Sequence, residues 1–268
     1  MFYLQILTTV VNYFLWYILY SVIGWIIETL LFAVRDKKSV KRGFLFGPLC
    51  PIYGTGAVIC TALMYGRITN FFVLFFAGMA LCDTVEYLTS FVMEKAFHAK
   101  WWDYSNQRFN IKGRICLASS LLFGAGVALL IKFIQPFVMS VTDKIPLNIR
   151  FIIAFVIYSV LIVDVAFTIQ SLKNVISTLK EIQEYAVENA QLGIYRADEK
   201  VDGFVEKVKS IPGPDEIGEK IKNNRHIEEL VEKMNGERSM LKKLKSIFPK
   251  LQFKNYKDAF DIIFNKKK

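Results

Sequence analysis

The chain has 268 residues, of which 53% are hydrophobic and 15% are aromatic, whereas soluble domains average about 45 to 50% apolar residues. Residues 1–172 carry 22 charged side chains, and the remaining 96 residues carry 36. This composition excludes a mainly disordered chain, and the uneven charge argues against a single soluble globule. We therefore predict a transmembrane domain over residues 1–172 and a cytoplasmic helical tail over residues 173–268.

Five stretches are apolar over the roughly 20 residues that a helix needs to cross the hydrocarbon core of a bilayer. They cover residues 9–34, 44–65, 71–93, 115–140 and 149–172. The second contains Gly47, Pro48, Pro51 and Gly54, so we predict that its cytoplasmic end is broken or unwound. The predicted fold class is all-α: a polytopic transmembrane helix bundle of about five spans.

Basic residues set the predicted orientation, because lysines and arginines near span ends stay on the cytoplasmic side. The loops after the first and third spans contain ten of them, and the opposite side contains three. This asymmetry places the N-terminus outside the cell and the tail in the cytoplasm. The tail begins with Val175, Leu179, Ile182 and Val187 at helical spacing, which predicts that the fifth span continues as an amphipathic helix.

The four cysteines are Cys50, Cys60, Cys82 and Cys116, and they lie in or beside apolar stretches without a CxxC motif. This placement is typical of small buried hydrophobic residues, not of a disulfide framework or a zinc site. We therefore predict neither a metal nor a cofactor.

Acidic residues within the spans are the strongest chemical signal, because an ionised carboxylate at mid-bilayer depth costs at least about 2.5 to 3.5 kcal/mol. Glu28 lies in the first span and Asp164 in the fifth. The third span carries a polar stripe at helical spacing, formed by Asp83, Glu86, Tyr87, Ser90 and Glu94. The stripe predicts either contacts that hold the helices together or a polar binding pocket.

Arginine and glycine are adjacent where the chain enters the second and fourth spans, as Arg42 and Gly43 and as Gly113 and Arg114. The arginines are candidates to pair with a carboxylate of the spans, namely Glu28, Glu86 or Glu94. Alternatively they could hold a phosphate or a carboxylate, together with backbone amides at the start of the next helix. We predict in particular a buried ion pair that joins Arg114 to Glu86 or Glu28.

An aromatic segment, residues 97–110, connects the third and fourth spans and contains Trp101, Trp102, Asp103 and Tyr104. One interpretation is an aromatic belt at the level of the lipid headgroups. The other is a short lid or re-entrant piece that covers the polar pocket.

Four stretches resemble a bacterial membrane family known as putative ABC-transporter type IV, or CmpB-like permeases: SVIGWIIET, KRGFLFGPLCPIYGTGA, EYLTSFVMEKAF and WDYSNQRFNIKGRICL. The resemblance implies a permease-like protein of the bacterial plasma membrane. Together with the residue chemistry, it implies substrate binding by Glu28, Arg42, Asp83, Glu86, Tyr87, Glu94, Asp103, Asn110 and Arg114. Structural roles are implied for Gly43, Gly47, Pro48, Pro51, Tyr53, Gly54 and Gly113.

The chain has no ATPase motif of its own, because GPDEIGEK at residues 213–220 fails the GxxxxGK[ST] pattern. The expected partners are therefore the lipid bilayer, separate ATPase subunits and further copies of the chain, without nucleic acid. Two alternatives stay open: a lipid-modifying enzyme with Glu86 or Glu94 as base and Arg42 and Arg114 as anion clamp, or a membrane scaffold or sensor with a partner-binding tail. No catalytic residue is assigned.

Overall fold

A computed structural model describes residues 2–36, 43–198, 244 and 251–253 of the chain. The helices of this part are α1 (Phe2–Asp36), α2 (Pro51–Met64), α3 (Phe71–Phe97), α4 (Leu117–Leu129), α5 (Gln135–Lys144) and α6 (Leu147–Asp198). The strands have two residues each: β1 (Ala99–Lys100), β2 (Asn110–Ile111), β3 (Ile115–Cys116) and β4 (Gln252–Phe253). The predicted all-α fold class is confirmed.

Within the described residues, four helical stretches are long and apolar enough to cross a membrane: Phe2–Leu31, Phe71–Phe97, Leu117–Lys144 and Leu147–Glu181. The second predicted span is shorter, because α2 has 14 residues, which correspond to about 21 Å against a hydrocarbon core of about 30 Å. Residues 43–50 before it form no helix. The count of five spans therefore stays a prediction.

Helices α1 and α2 pack closely because glycines face the neighbouring helix. A Cβ on Gly54 would collide with the Ser21 hydroxyl and with the carbonyl oxygen of Tyr17. A Cβ on Gly24 would in turn collide with the side chain of Tyr53. This close approach brings the start of α2 beside the middle of α1, where Glu28 lies one turn further on.

The fourth span is interrupted by a π-helical segment, Leu130–Ile134, which separates α4 from α5. Before this segment, Ser120, Gly124 and Ala128 are buried at four-residue spacing. A Cβ on Gly124 would lie 2.8 Å from the carbonyl oxygen of Phe75, so the small residues of α4 let it approach α3 closely.

After the π-helical segment, the fourth span makes its polar contacts with α1. The indole nitrogen of Trp16 donates a hydrogen bond to the Thr142 hydroxyl at 3.0 Å. The Tyr20 hydroxyl donates to the side-chain oxygen of Gln135. Both acceptor side chains are buried, which means that α5 presents a polar face to α1 and not to the lipid.

The chain divides into two compact units. The first contains the described residues up to Ala96 and the stretch Lys100–Ile169, and the site described below lies within it. In the second unit, Leu172, Val175 and Leu179 are buried on one face of α6. Helix α6 continues unbroken from the apolar span to Asp198, as the apolar spacing predicted. The predicted domain boundary after residue 172 remains a prediction, and most of the predicted tail lies outside the described residues.

Candidate functional site

The segment between α3 and α4 folds back along the polar stripe of α3. Strands β2 and β3 pair antiparallel, with Asn110 opposite Cys116. Their connecting turn contains two residues with left-handed backbone, Lys112 at φ 51° and Gly113 at φ 66°. A Cβ on Gly113 would lie 2.7 Å from Oδ1 of Asp103, so both the backbone and the space favour glycine here.

Asp103 braces this segment from within. Its Oδ1 accepts hydrogen bonds from Lys100 Nζ at 2.9 Å, from the Ser105 amide at 2.9 Å and from the Ser105 hydroxyl at 2.6 Å. The bonds from Ser105, followed by Lys100, hold the pKa of Asp103 well below its usual range. Asn110 donates to the carbonyl oxygens of Ser105 and Gln107 and accepts from the Gly113 amide. Both side chains thus hold the loop, and their predicted substrate-binding role stays a prediction.

Arg114 lies in the turn of the hairpin, directly before β3, and contacts the last turns of α3. Its Nη2 forms an ion pair with Oε2 of Glu94 at 2.8 Å, and these side chains are only 13% and 14% exposed. Its Nη1 donates to the Ser90 hydroxyl at 3.3 Å. The guanidinium also lies 5.5 Å from the ring centroid of Tyr87 and 5.4 Å from that of Phe91, within cation–π range.

The predicted ion pair between Arg114 and Glu86 or Glu28 is therefore wrong. Glu86 precedes Glu94 by two helical turns, or about 12 Å along the axis. The hairpin holds Arg114 beside Glu94. The indole nitrogen of Trp102 donates a hydrogen bond to the carbonyl oxygen of Arg114 at 2.9 Å. An anion clamp formed by Arg114 would have to compete with this pair, and Arg42 lies outside the described residues.

Glu86 is the most buried carboxylate of the stripe, with 6% of the residue exposed. Its Oε1 accepts a hydrogen bond from the Tyr104 hydroxyl at 3.3 Å. Its Oε2 is buried and has no hydrogen-bond partner in the described part of the chain. Burial is the main reason that the pKa of the Tyr104 phenol is raised, and the nearby Glu86, Cys116 and Glu28 raise it further. The aromatic loop therefore covers the polar stripe through Tyr104, which supports the lid interpretation.

Two further carboxylates border this position. Glu28 of α1 accepts a hydrogen bond from the Tyr53 hydroxyl of α2 at 2.7 Å. Asp83 of α3 accepts one from the Ser120 hydroxyl of α4 at 2.9 Å. Glu28 and Asp83 both act electrostatically on Glu86. The fold thus assembles an acidic site from carboxylates of α1 and α3 and from hydroxyl groups of α2, α4 and the loop, with Glu86 at its centre.

The irregular segment before α2 takes its shape from its glycines and prolines. Gly43 has φ 104°, and a Cβ there would lie 2.7 Å from the carbonyl oxygen of Leu49. Gly47 and Pro48 lie outside any helix. Pro51 begins α2, where the missing amide proton costs no helical hydrogen bond.

Asp164 of α6 holds this segment in a way that the sequence did not indicate. The amides of Phe46 and Gly47 donate to Oδ1 and Oδ2 of Asp164, each at 2.9 Å. Thr168 donates to Oδ1 at 3.3 Å. A Cβ on Gly47 would lie 2.8 Å from Oδ2. The only sequence signal was the break at Gly47 and Pro48, because a broken helix leaves amides that need an acceptor.

The apolar helices and their polar contacts define a helical membrane protein. The family described as Putative ABC-transporter type IV matches residues 15–169, more than half of the chain. The chain therefore belongs to this family, and the match includes every residue of the site. No curated protein and no solved structure matches the chain.

Proposed function

We propose that the chain is the membrane-spanning component of a transporter and moves its substrate along the polar stripe of α3. The observation that carries the proposal is the length of α3 over which the stripe extends. Helix α3 has 27 residues, or about 40 Å, and Asp83 lies about 18 Å from its first residue. From Asp83, the stripe continues for about 16 Å to Glu94. Polar groups thus extend from mid-helix to the end that carries the aromatic loop.

The first half of α3, residues 71–82, closes the proposed substrate path in this structure. Residues 71–82 contain no charged side chain, and they pack tightly against α4. A Cβ on Gly78 would collide with the side chain of Val127. Passage beyond Asp83 therefore requires α4 to move away from α3, which is the kind of motion that a transporter uses between its two access states.

An ABC-type transporter needs ATPase subunits, and we propose that they are separate proteins. The test is purification of the tagged chain from native membranes, followed by ATP hydrolysis in liposomes. We expect an ATPase subunit to co-purify. Glu86→Gln should reduce the stimulation of ATP hydrolysis by the membrane component while leaving the complex intact. The control Glu184→Gln removes an exposed charge, 66% exposed on α6, and should change neither. Absence of an ATPase subunit would contradict the proposal.

We further propose that the chain is a multi-pass protein of the bacterial plasma membrane with its N-terminus outside and its tail in the cytoplasm. Single cysteines in a cysteine-free background test this orientation. An impermeant reagent added from outside should label positions beside Arg67 or Lys144 and spare positions beside Lys38 or Lys243. The reverse pattern of labelling would refute the orientation and would place the Tyr104 loop outside the cell.

The two alternative functions predict different results in the same preparations. A lipid-modifying enzyme would convert lipid when the chain is purified alone, without an ATPase subunit. A scaffold or sensor would bind its partners through the tail and would tolerate Glu86→Gln without loss of function. The permease proposal is preferred because the family match covers the membrane part and because Arg114, the expected anion ligand of an enzyme, is bound to Glu94.

A further inference from the structure

We propose that Glu86, with Oε1 held by Tyr104, binds through Oε2 the ammonium group of a small primary amine, which is the substrate class of the transporter. This assignment rests on the proposed function and deepens it. The observation behind it concerns Oε2 of Glu86, which is buried and has no hydrogen-bond partner among the described residues. Only 6% of the residue is exposed. A buried carboxylate oxygen without a donor is costly, and a ligand with N–H groups removes that cost.

The hydrogen-bonding groups around Glu86 call for a donor. The hydroxyls of Tyr104, Tyr53 and Ser120 already donate to carboxylates, namely to Glu86, Glu28 and Asp83. Among the buried carboxylate oxygens of the described residues, Oε2 of Glu86 is the one that lacks a donor. The carboxyl groups of Glu28 and Asp83 lie near enough to Glu86 to act on it electrostatically, so the site disfavours an anion and favours a cation. A site rich in acceptors therefore selects a positively charged donor over a phosphate or a carboxylate.

The number of free oxygens favours an ammonium group over a guanidinium group. Guanidinium binds carboxylates best through two parallel hydrogen bonds, one to each oxygen. At Glu86, Oε1 already accepts from Tyr104, and only Oε2 remains. A compact ammonium group can bind one oxygen and direct its other N–H groups elsewhere.

Metal binding has less support at this position. A divalent ion such as Ca²⁺ or Mg²⁺ takes six or more oxygen ligands. The described residues contain no group of three or more acidic, histidine or cysteine side chains arranged to hold a metal ion. The low exposure of Glu86 also limits the ligand to a small one, and Tyr104 covers it from the loop side. Access therefore requires the loop to move.

The experiment uses the purified full-length chain in lipid nanodiscs and radiolabelled methylammonium as the probe. We expect saturable binding that ethylammonium displaces and that tetramethylammonium, which has no N–H group, does not. Glu86→Gln keeps the shape of the side chain but loses its charge, and it should weaken binding about 10- to 100-fold, as expected for a hydrogen bond to a charged group. Glu184→Gln is the matched control and should bind like the parent chain.

A second variant keeps the test informative if Glu86→Gln does not fold. Tyr104→Phe frees Oε1 of Glu86, so both oxygens become available for a bidentate ligand. The preference for methylammonium over guanidinium should therefore fall in this variant. A structural role of Tyr104 alone would weaken both ligands equally, and that result would count against the assignment.

Three results would overturn the amine assignment: no saturable binding to the parent chain, equal binding by Glu86→Gln, or displacement by sodium or tetramethylammonium as effective as by ethylammonium. If one of them occurs while the ATPase subunit still co-purifies, the substrate class is wrong and the transporter proposal stands. If no ATPase subunit associates, the transporter proposal fails whatever the binding result.

Discussion

Neutralising Glu94 by Glu94→Gln tests whether the ion pair with Arg114 holds the aromatic loop on α3. The variant leaves the guanidinium with the Ser90 hydroxyl and two aromatic rings but without its carboxylate. Removing one partner of a buried pair costs about 3 to 5 kcal/mol. Because both side chains keep some exposure, 13% and 14%, we expect the lower end, about 3 kcal/mol, or a fall in Tm of about 6 to 12 °C.

A double-mutant cycle in detergent separates the ion pair from packing. Arg114→Met keeps an aliphatic chain against the rings, and the double variant with Glu94→Gln leaves neither charge behind. We expect the double variant to recover most of the stability that Glu94→Gln loses. The exposed pair Lys180 and Glu184, at 3.6 Å and 61% and 66% exposed, is the control and should show a coupling of about 0.5 kcal/mol or less. Equal coupling in the two pairs, or losses of the Arg114 and Glu94 variants that simply add, would contradict a stabilising buried ion pair.

Three further predictions concern local contacts. Gly113→Ala should destabilise the loop more than Gly66→Ala. Both glycines have positive φ, at 66° and 73°, but of the two only Gly113 has neighbours within 4 Å of the added Cβ. Equal losses of thermal stability would contradict this. Asp164→Ala should expose the amides of residues 46 and 47 to faster hydrogen exchange, because it removes their acceptor, and unchanged exchange would contradict this. Because the pKa of Asp103 is lowered, its contribution to loop stability is complete at neutral pH and is lost as the pH falls below about 4. Hydrogen exchange of the loop should show this loss in the parent chain and not in Asp103→Asn.

The helical membrane fold could be predicted from the sequence because apolar length is a property of single segments. Four predicted spans coincide with helices long enough to cross a membrane. The break before α2 was predicted from its glycines and prolines, and residues 43–50 confirm it. Its extent was harder to predict, since the apolar residues from Phe44 onward continue through Gly47 and Pro48. Composition alone does not distinguish an apolar irregular segment from an apolar helix, and the start of α2 at Pro51 depends on backbone geometry.

The candidate site was predictable in composition but not in pairing. Helical spacing placed Asp83, Glu86 and Glu94 on one face of α3, as the structure has them. Which of them Arg114 would reach depended on the length and turn of the β2–β3 hairpin, and the two-turn offset between Glu86 and Glu94 decided it. Contacts such as Asp164 with backbone amides are unpredictable for a related reason, because every residue but proline offers the same amide.

The π-helical segment limits how the length of the fourth span can vary. A π-helical turn contains about one residue more than an α-helical turn, and each α-helical residue rotates the chain by about 100°. In a regular α-helix Gln135, seven residues after Ala128, would lie within about 20° of Ala128 on the helix surface. The extra residue of the π-helical turn instead rotates Gln135 and Thr142 by about 100°, toward α1. The π-helical turn between Ala128 and Gln135 thus sets the rotational phase between the two halves of the span. Deleting one residue from Leu130–Ile134 should therefore leave a regular helix in the same phase, whereas one inserted residue would turn Gln135 and Thr142 away from α1. Such an insertion should be tolerated far less here than in the turn around Gly66, a constraint that no individual side chain reveals.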